Sequence, residues 1–561
     1  MFANDYFQLI AFLCIILITS PLLGQYMAEI FQGRNGKLAR FFEPFERAIY
    51  KICGIDPNDE MSWSDYIKSL LFFNLFGFLF LYSLCVIQGS LPLNPQNLKG
   101  TEWHLAFNTA VSFMTNTNWQ SYNGETTFSY LVQMLGFTVQ NFLSAATGIA
   151  VVIAFSRAMA KAELKTAGNF FTDIVRSIVY VLIPLSVIMS LLLVSQGTVQ
   201  TIAPYTEIKP LEGGIQTIPL GPVASQIAIK QLGTNGGGFF GANGCHPFEN
   251  PTPLSNFLEV LAIFLIPAAL VFTYGQIVNN SKHAVSLFGA MLILFLAGLG
   301  ISLWSEYGAD NIFGISAIIE GKELRFGIFN SVLWSVVTTC ASCGAINCAQ
   351  ACLSPISIMI STLNMMFGEV IFGGAGSGLY GMIMFAILTV FIAGLMVGRT
   401  PEYLGKKIGA YEVKMAVLAV LAPSIIILSL TAVSCVIPEG ISSALNRGPR
   451  GFLEILYAFT SAAANNGSAL AGLNANTPYY NVLLGLTMLA GRFIVIVPVL
   501  LVGKNLAAKK ITPESSGTFP VFGAAFSLLL ISVILIIGAL TFFPALSIGP
   551  IAEYFLKSRV F

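Results

Sequence analysis

The stretch Gly233-Thr234-Asn235-Gly236-Gly237-Gly238-Phe239-Phe240 lies between long apolar segments, yet it holds four glycines and two small polar residues. Glycine accepts backbone angles that other residues resist, and it leaves carbonyls uncovered by side chains. In hydrocarbon, such non-helical backbone survives only when buried in protein or lining a watery cavity. Three further stretches share the pattern: Thr115-Asn116-Thr117-Asn118-Trp119-Gln120, Thr339-Cys340-Ala341-Ser342-Cys343-Gly344-Ala345 and Ala464-Asn465-Asn466-Gly467-Ser468-Ala469. Each follows a short apolar run and precedes a long one, and they recur at intervals of about 110 to 120 residues. Recurrence at a fixed interval is the mark of a repeated structural unit. The unit reads helix, short helix, polar loop, helix. Four such units can set four polar loops around one axis, as rings of backbone carbonyls are set in potassium channels.

Apolar residues make up 55 % of the 561, and charged ones 10 %, against about 25 % charged in a typical soluble domain. The chain therefore reads as an all-α polytopic membrane protein. Met1 to Ile10 has no Lys or Arg before the apolar run through Ile18. Because a cleaved signal peptide normally starts basic, the first segment is expected to be a retained span. A net charge of +1 gives no sign of nucleic-acid binding, and the nine cysteines lack the spacing of a secreted disulfide scaffold.

A span needs about 20 mainly apolar residues. The sequence predicts ten, near 7–25, 69–88, 128–155, 175–195, 254–278, 284–304, 355–398, 413–436, 478–503 and 519–544. Short re-entrant segments are expected near 103–114, 222–233, 327–340 and 451–463. The expected organisation is a first helix with a loop (1–66), four pseudo-fourfold helix–pore-loop–helix repeats (67–160, 161–280, 281–410 and 411–510), and a last helix (511–561).

Basic residues set the expected orientation. With both termini outside, the inner loops hold Arg34, Lys37, Arg40, Arg47 and Lys51, then Arg157, Lys161, Lys165 and Arg176, then Lys282. They also hold Arg399, Lys406, Lys407 and Lys414, then Lys504, Lys509 and Lys510. The outer side has fewer: Lys99, Lys209, Lys230, Lys322, Arg325, Arg447, Arg450, Lys557 and Arg559. Positive loops stay inside, and this orientation puts every half-span on the outer face.

Stripping water from a monovalent cation costs of order 20 kcal/mol on a Born estimate, so pre-placed oxygens must replace it. Backbone carbonyls with Thr, Ser and Asn oxygens suit a hard cation. None of the four loops contains Asp or Glu, which disfavours a divalent site. Each re-entrant helix would also aim its negative carboxyl end at the centre of the ring.

The segment Val111 to Tyr122, the Gly233–Phe240 stretch, Asn243 to Pro251 and Gly394 to Lys407 resemble the KdpA family, the potassium-binding subunits of the bacterial P-type potassium-transporting ATPase. The likeness runs over essentially the whole chain. It implies a potassium filter lined by Asn116, Thr117 and Asn118, by Thr234, Asn235 and Gly236, by Ser342, Cys343 and Gly344, and by Asn465, Asn466 and Gly467, with Gln120 at its mouth. The third member of each set is glycine in three repeats and Asn118 in the first. Asn accepts left-handed backbone better than most residues.

The run Phe372 to Gly381 interrupts the segment 355–398. It reads either as close helix packing through small residues or as a broken helix whose loop lies beneath the filter, and glycines weaken a continuous helix. The resemblance also points to a broken helix, with a gate drawn from Glu369, Gly374, Gly376, Ser377, Gly378, Arg399 and Arg492. Arg492 falls mid-span, where a charge needs a partner or a polar cavity. Glu369, or carbonyls of the glycine loop, is the expected partner, and a side chain reaching for the interface is the simpler alternative. Only Glu369 reads as an acid clearly inside a span. Cys340, Cys343, Cys348 and Cys352 do not match zinc or iron–sulfur spacing, and His104, His246 and His283 lie far apart. The only metal expected is K+ at the filter.

No Gly-Lys pair is followed by Ser or Thr, and no Asp by Lys, so neither a phosphate-cradling loop nor the phosphorylated Asp of P-type pumps is present. The chain alone is expected to bind no nucleotide and hydrolyse nothing. The resemblance implies a separate catalytic P-type ATPase subunit, small accessory membrane subunits, a bacterial inner-membrane location, and K+ as the transported ion. A passive channel or secondary transporter of the same superfamily is the alternative. A secondary transporter is expected to show coupling carboxylates at midplane and an inverted repeat, whereas this repeat reads as parallel.

Overall fold

The computed structural model describes residues 3–33, 36–308, 316–398, 400–513 and 518–557. Arg399, placed above in the gate, lies outside the described residues. Among the described residues, ten helices are long and apolar enough to cross a membrane, which makes this a multi-pass membrane protein. They are α1 (Ala3–Phe31), α3 (Trp63–Ile87), α5 (Val132–Ala160), α6 (Phe170–Ser195), α8 (Pro253–Ile277), α9 (Ser281–Tyr307), α12 (Ser377–Val397), α13 (Ala410–Ser434), α15 (Pro478–Ala507) and α16 (Ala524–Leu546). Between them lie the half-spans α4 (Trp103–Met114), α7 (Val223–Leu232), α10 (Gly327–Cys340) and α14 (Gly448–Ala463).

The segment 355–398, whose glycine run is expected either to pack closely or to break the helix, is two helices. α11 (Pro355–Met366) and α12 are separated by the first half of the glycine run. The loop expected after the first span contains a helix, α2 (Lys37–Cys53). Its basic residues carry an apolar pattern of helical period that a reading for loop charge passes over.

Burial sorts the helices into rings. In α5, 83 % of the most apolar window is buried within the chain, against 22 % in α1 and 28 % in α13. α5 therefore belongs to the inner wall, and the other two lie on the outside of the bundle. α1 packs on α8 through a hydrogen bond from Thr273 Oγ1 to the Gly24 carbonyl (3.1 Å). α16 packs on α9, with Ser527 Oγ donating to the Ser286 carbonyl (3.0 Å).

The helix after each polar turn begins the same way. Thr252, Ser354 and Thr477 each precede a proline and accept the backbone N–H three residues on, at 3.0, 3.2 and 3.2 Å. A side-chain oxygen at the cap satisfies an orphan amide, and proline fits the first turn because its missing N–H has no partner there. Ser129 caps the first repeat without a proline, accepting from the Val132 N–H at 3.5 Å. These caps restart a helix in register after each polar turn.

Candidate functional site: four polar turns closed into a ring

Each half-span ends in a turn with one backbone plan. Its middle residue returns its N–H to a carbonyl five residues earlier: Thr117 to Ser112 (2.9 Å), Asn235 to Lys230 (2.9 Å), Cys343 to Thr338 (3.1 Å) and Asn466 to Ser461 (2.8 Å). The residues either side of the middle one are left-handed, with φ of +66° and +52° at Asn116 and Asn118, +51° and +82° at Thr234 and Gly236, +52° and +79° at Ser342 and Gly344, and +56° and +99° at Asn465 and Gly467. Alternating left- and right-handed residues turns successive carbonyls to one side. The N–H groups are spent backwards on the half-span, while the carbonyls of Thr117, Asn235, Cys343 and Asn466 accept no hydrogen bond among the described residues.

The turns meet in sequence order and close. Asn116 Nδ2 donates to the Gly233 and Thr234 carbonyls (3.3 and 2.9 Å), joining turn one to turn two. A Cβ at Gly236 would overlap the Cys343 carbonyl oxygen, one at Gly344 would overlap that of Asn466, and one at Gly467 that of Thr117. The last of these brings the fourth turn back to the first, 350 residues earlier in the chain. Glycine is needed here twice over, for its positive φ and for the closeness of the neighbour. Ser342 Oγ donates to the Ala464 and Asn465 carbonyls (3.1 and 3.0 Å), and Asn465 Nδ2 donates to Thr117 Oγ1 (3.0 Å). Asn118 takes glycine's place in the first turn, and its Nδ2 donates to the Gly236 carbonyl (2.8 Å) and to Asn141 Oδ1 (2.9 Å). At the rim, Gln120 makes a reciprocal pair with Gly238: Nε2 donates to its carbonyl (2.9 Å) and Oε1 accepts its N–H (3.1 Å).

The broken helix lies across the other end. The Ala375 N–H donates to Thr234 Oγ1 (2.8 Å) and the Gly373 N–H to the Cys340 carbonyl (3.1 Å). A Cβ at Gly374 would sit 3.3 Å from Ser342 Cβ and 3.4 Å from Thr234 Oγ1. Gly376, with φ of +99°, abuts the Gly148 carbonyl of α5, so 372–376 is a loop under the ring and not a packing stripe, while 377–381 form the first turn of α12. Beside it a cavity of about 80 Å³ is lined by Glu369, Ser377, Tyr380, Asn465 and Arg492, and Gly378 sits behind against the Phe372 carbonyl. Arg492 bonds neither Glu369 nor the glycine loop, contrary to expectation. Its Nη2 donates to the Ser144 carbonyl of α5 (3.0 Å), and among the described residues it lines the same cavity as Glu369 without an ion pair to it. Glu369 lies in the break itself, buried, with no partner for Oε1.

Among known proteins, the family described as "Potassium-transporting ATPase A subunit" matches residues 10–555. Relatives named "Potassium-transporting ATPase potassium-binding subunit" are 52 % identical over 559 residues in Pseudomonas entomophila (99 % of each chain) and 52 % identical over 567 residues in Brucella anthropi (100 % of each). The chain belongs to the potassium-transporting ATPase A subunit family. The crystal structure of the potassium transporter TrkH from Vibrio parahaemolyticus superposes with a TM-score of 0.51 at 14 % identity, over 89 % of this chain and 99 % of that one. That likeness supports a shared pore-loop repeat fold.

This A-subunit family member carries charges behind the ring that the sequence reading missed. Lys230, counted above among the basic residues of the outer side and within the re-entrant segment expected at 222–233, is buried in α7 and pairs with buried Glu249, Nζ to Oε2 at 2.7 Å. Glu249 Oε1 also accepts the Phe240 N–H (2.8 Å), so the pair holds both ends of the second turn. Glu259, inside α8, is likewise buried. It accepts from Gln231 Nε2 at 2.6 Å, while Gln231 Oε1 accepts from Cys343 Sγ at 3.4 Å. Glu369 is thus not the sole acid at membrane depth. A Lys in the otherwise apolar run Ile227-Ala228-Ile229-Lys230 was the available signal. A buried Lys needs an acid, and Glu249 follows 19 residues later.

Proposed function

We propose that this chain binds potassium selectively and passes it on, as the subunit of an ATP-driven uptake pump. The observation that carries the proposal is the closed ring, with four backbone carbonyls left without a donor at the carboxyl ends of four half-span helices. Such oxygens can replace a dehydrated cation's water shell, and the helix dipoles add negative potential at the same point. The family membership and the names of the relatives favour potassium as the cargo. The proposed filter residues are those named from the sequence, with Gln120 holding the rim.

Ions would enter from the outer face, with both termini outside, in the inner membrane of a bacterium. The loop 372–376 would close the straight path below the ring, which disfavours a simple open channel. Ions would turn sideways past Glu369, Ser377 and Arg492 toward a catalytic P-type partner that binds ATP, with small accessory subunits alongside.

The test is potassium-dependent ATP hydrolysis by the assembled complex. Gly236→Ala places a left-handed alanine against the next turn. Strain of about 1–2 kcal/mol with the overlap should raise the half-saturating potassium at least tenfold. Gln120→Ala should raise it less, since the rim pair alone is lost. A potassium dependence unmoved by both would refute the filter assignment.

A further inference from the structure

We infer that α2 is an interfacial helix that gathers anionic phospholipid headgroups on the basic side of the molecule. Its residues fall on three faces. One packs on the protein: Glu46 accepts from Arg176 Nε (3.0 Å), Tyr180 Oη (2.5 Å) and Tyr50 Oη (2.6 Å), and the Phe42 and Tyr180 rings meet at 6.1 Å. A second face repeats at helical spacing as Phe41, Phe45, Ala48 and Ile52, with Phe41 68 %, Phe45 58 % and Ile52 83 % exposed. A third, one residue out of phase, is Arg40, Pro44, Arg47 and Lys51, all exposed. Arg47 pairs with Glu43, whereas Arg40 and Lys51 have no acidic partner among the described residues.

Depth decides what covers the apolar face. Arg176 and Tyr180, to which α2 is tied, lie six and ten residues inside the span Phe170–Ser195. At about 1.5 Å per residue that is roughly 9 to 15 Å along the helix axis, whereas headgroups occupy only about 5–7 Å on each side of the hydrocarbon. A helix held there lies at the boundary of headgroup and acyl chain and not out in water. A separate apolar face and basic face, with aromatics on the first, is the composition of a helix lying in that plane. Basic side chains near an anionic leaflet each add attraction for it. The side is fixed by the fold, so the inference does not depend on the potassium reading.

The experiment uses the protein purified with its native partners and returned to bilayers, with Phe45→Trp as reporter and the unsubstituted protein's tryptophan emission subtracted. Phosphatidylcholine or phosphatidylglycerol brominated in the acyl chain is supplied at equal mole fraction. Quenching by the brominated phosphatidylglycerol should exceed that by phosphatidylcholine at least twofold, and Arg40→Gln with Lys51→Gln should bring the ratio near one. Equal quenching without those substitutions overturns the headgroup selection. Quenching by aqueous iodide in place of bromolipid puts α2 in water, and protection from both means a protein covers it. Either outcome overturns the inference.

Discussion

Thr234 is the point where ring and glycine loop touch. It is β-branched and left-handed, with φ of +51°, a conformation costing an L-residue about 1–2 kcal/mol. Its hydroxyl offsets that, donating to the Gly233 carbonyl (2.7 Å) and accepting the Ala375 N–H (2.8 Å). Thr234→Val keeps the shape and strips both bonds, leaving a buried amide unmet at about 1–3 kcal/mol. We expect about a tenfold loss of potassium affinity in the complex, read from the potassium dependence of ATP hydrolysis. A valine variant with unaltered affinity would show the hydroxyl to be incidental. The four polar triplets could be found from sequence because small polar residues and glycine are costly amid apolar helices. Which neighbour each glycine meets could not, since contacts such as Gly467 on Thr117 join residues far apart in the chain.

At the scale of elements, two devices hold the ring in shape. The Lys230–Glu249 pair ties α7 to the exit of the second turn, and both partners are buried. Lys230→Met would leave Glu249 buried and unpaired, a loss of about 3–5 kcal/mol. Thermal unfolding should show it, with partial recovery on adding Glu249→Gln. A single variant as stable as the parent would contradict this. Arg492 reaches from α15 to the Ser144 carbonyl, and Ser144 Oγ donates in turn to Asn116 Oδ1 (2.8 Å). Arg492→Leu should therefore disturb the first turn as well as the cavity, and potassium uptake by the complex should fall at least tenfold. Uptake at the parent's rate would remove Arg492 from the path. The break in 355–398 was legible because its glycines cluster. The partner of Arg492 was not, because sequence proximity to the glycine run suggested Glu369 while the fold brings α5 nearer.

For the whole molecule, stability should depend on pH through the loop that follows the second turn. His246 stacks on Phe240 at 3.8 Å between ring centres, and the Phe248 N–H donates to its Nδ1 (3.2 Å). Burial, with Arg325 acting the same way against Glu125, holds its imidazole below the usual value of 6.5. Between the unfolded and folded values the unfolded chain binds a proton that the folded chain refuses. Stability therefore falls as pH drops through about 6.5, and the loss is complete once pH is below the folded value. Unfolding temperatures between pH 7.5 and 5 should show this, and His246→Phe should flatten the acid side. An unchanged profile in that variant would assign the acid sensitivity elsewhere. The count of ten spans was readable because hydrocarbon thickness fixes helix length. The amphipathic α2 was hidden among charges read for orientation alone.

In a ring assembled from four identical chains, any change to the lining is made four times over. Here each quarter is written separately, and Asn118 already differs from its three glycine counterparts. Selection can thus adjust one oxygen donor at a time, so lopsided rings, and finely graded preferences among ions of similar radius, are open to this protein.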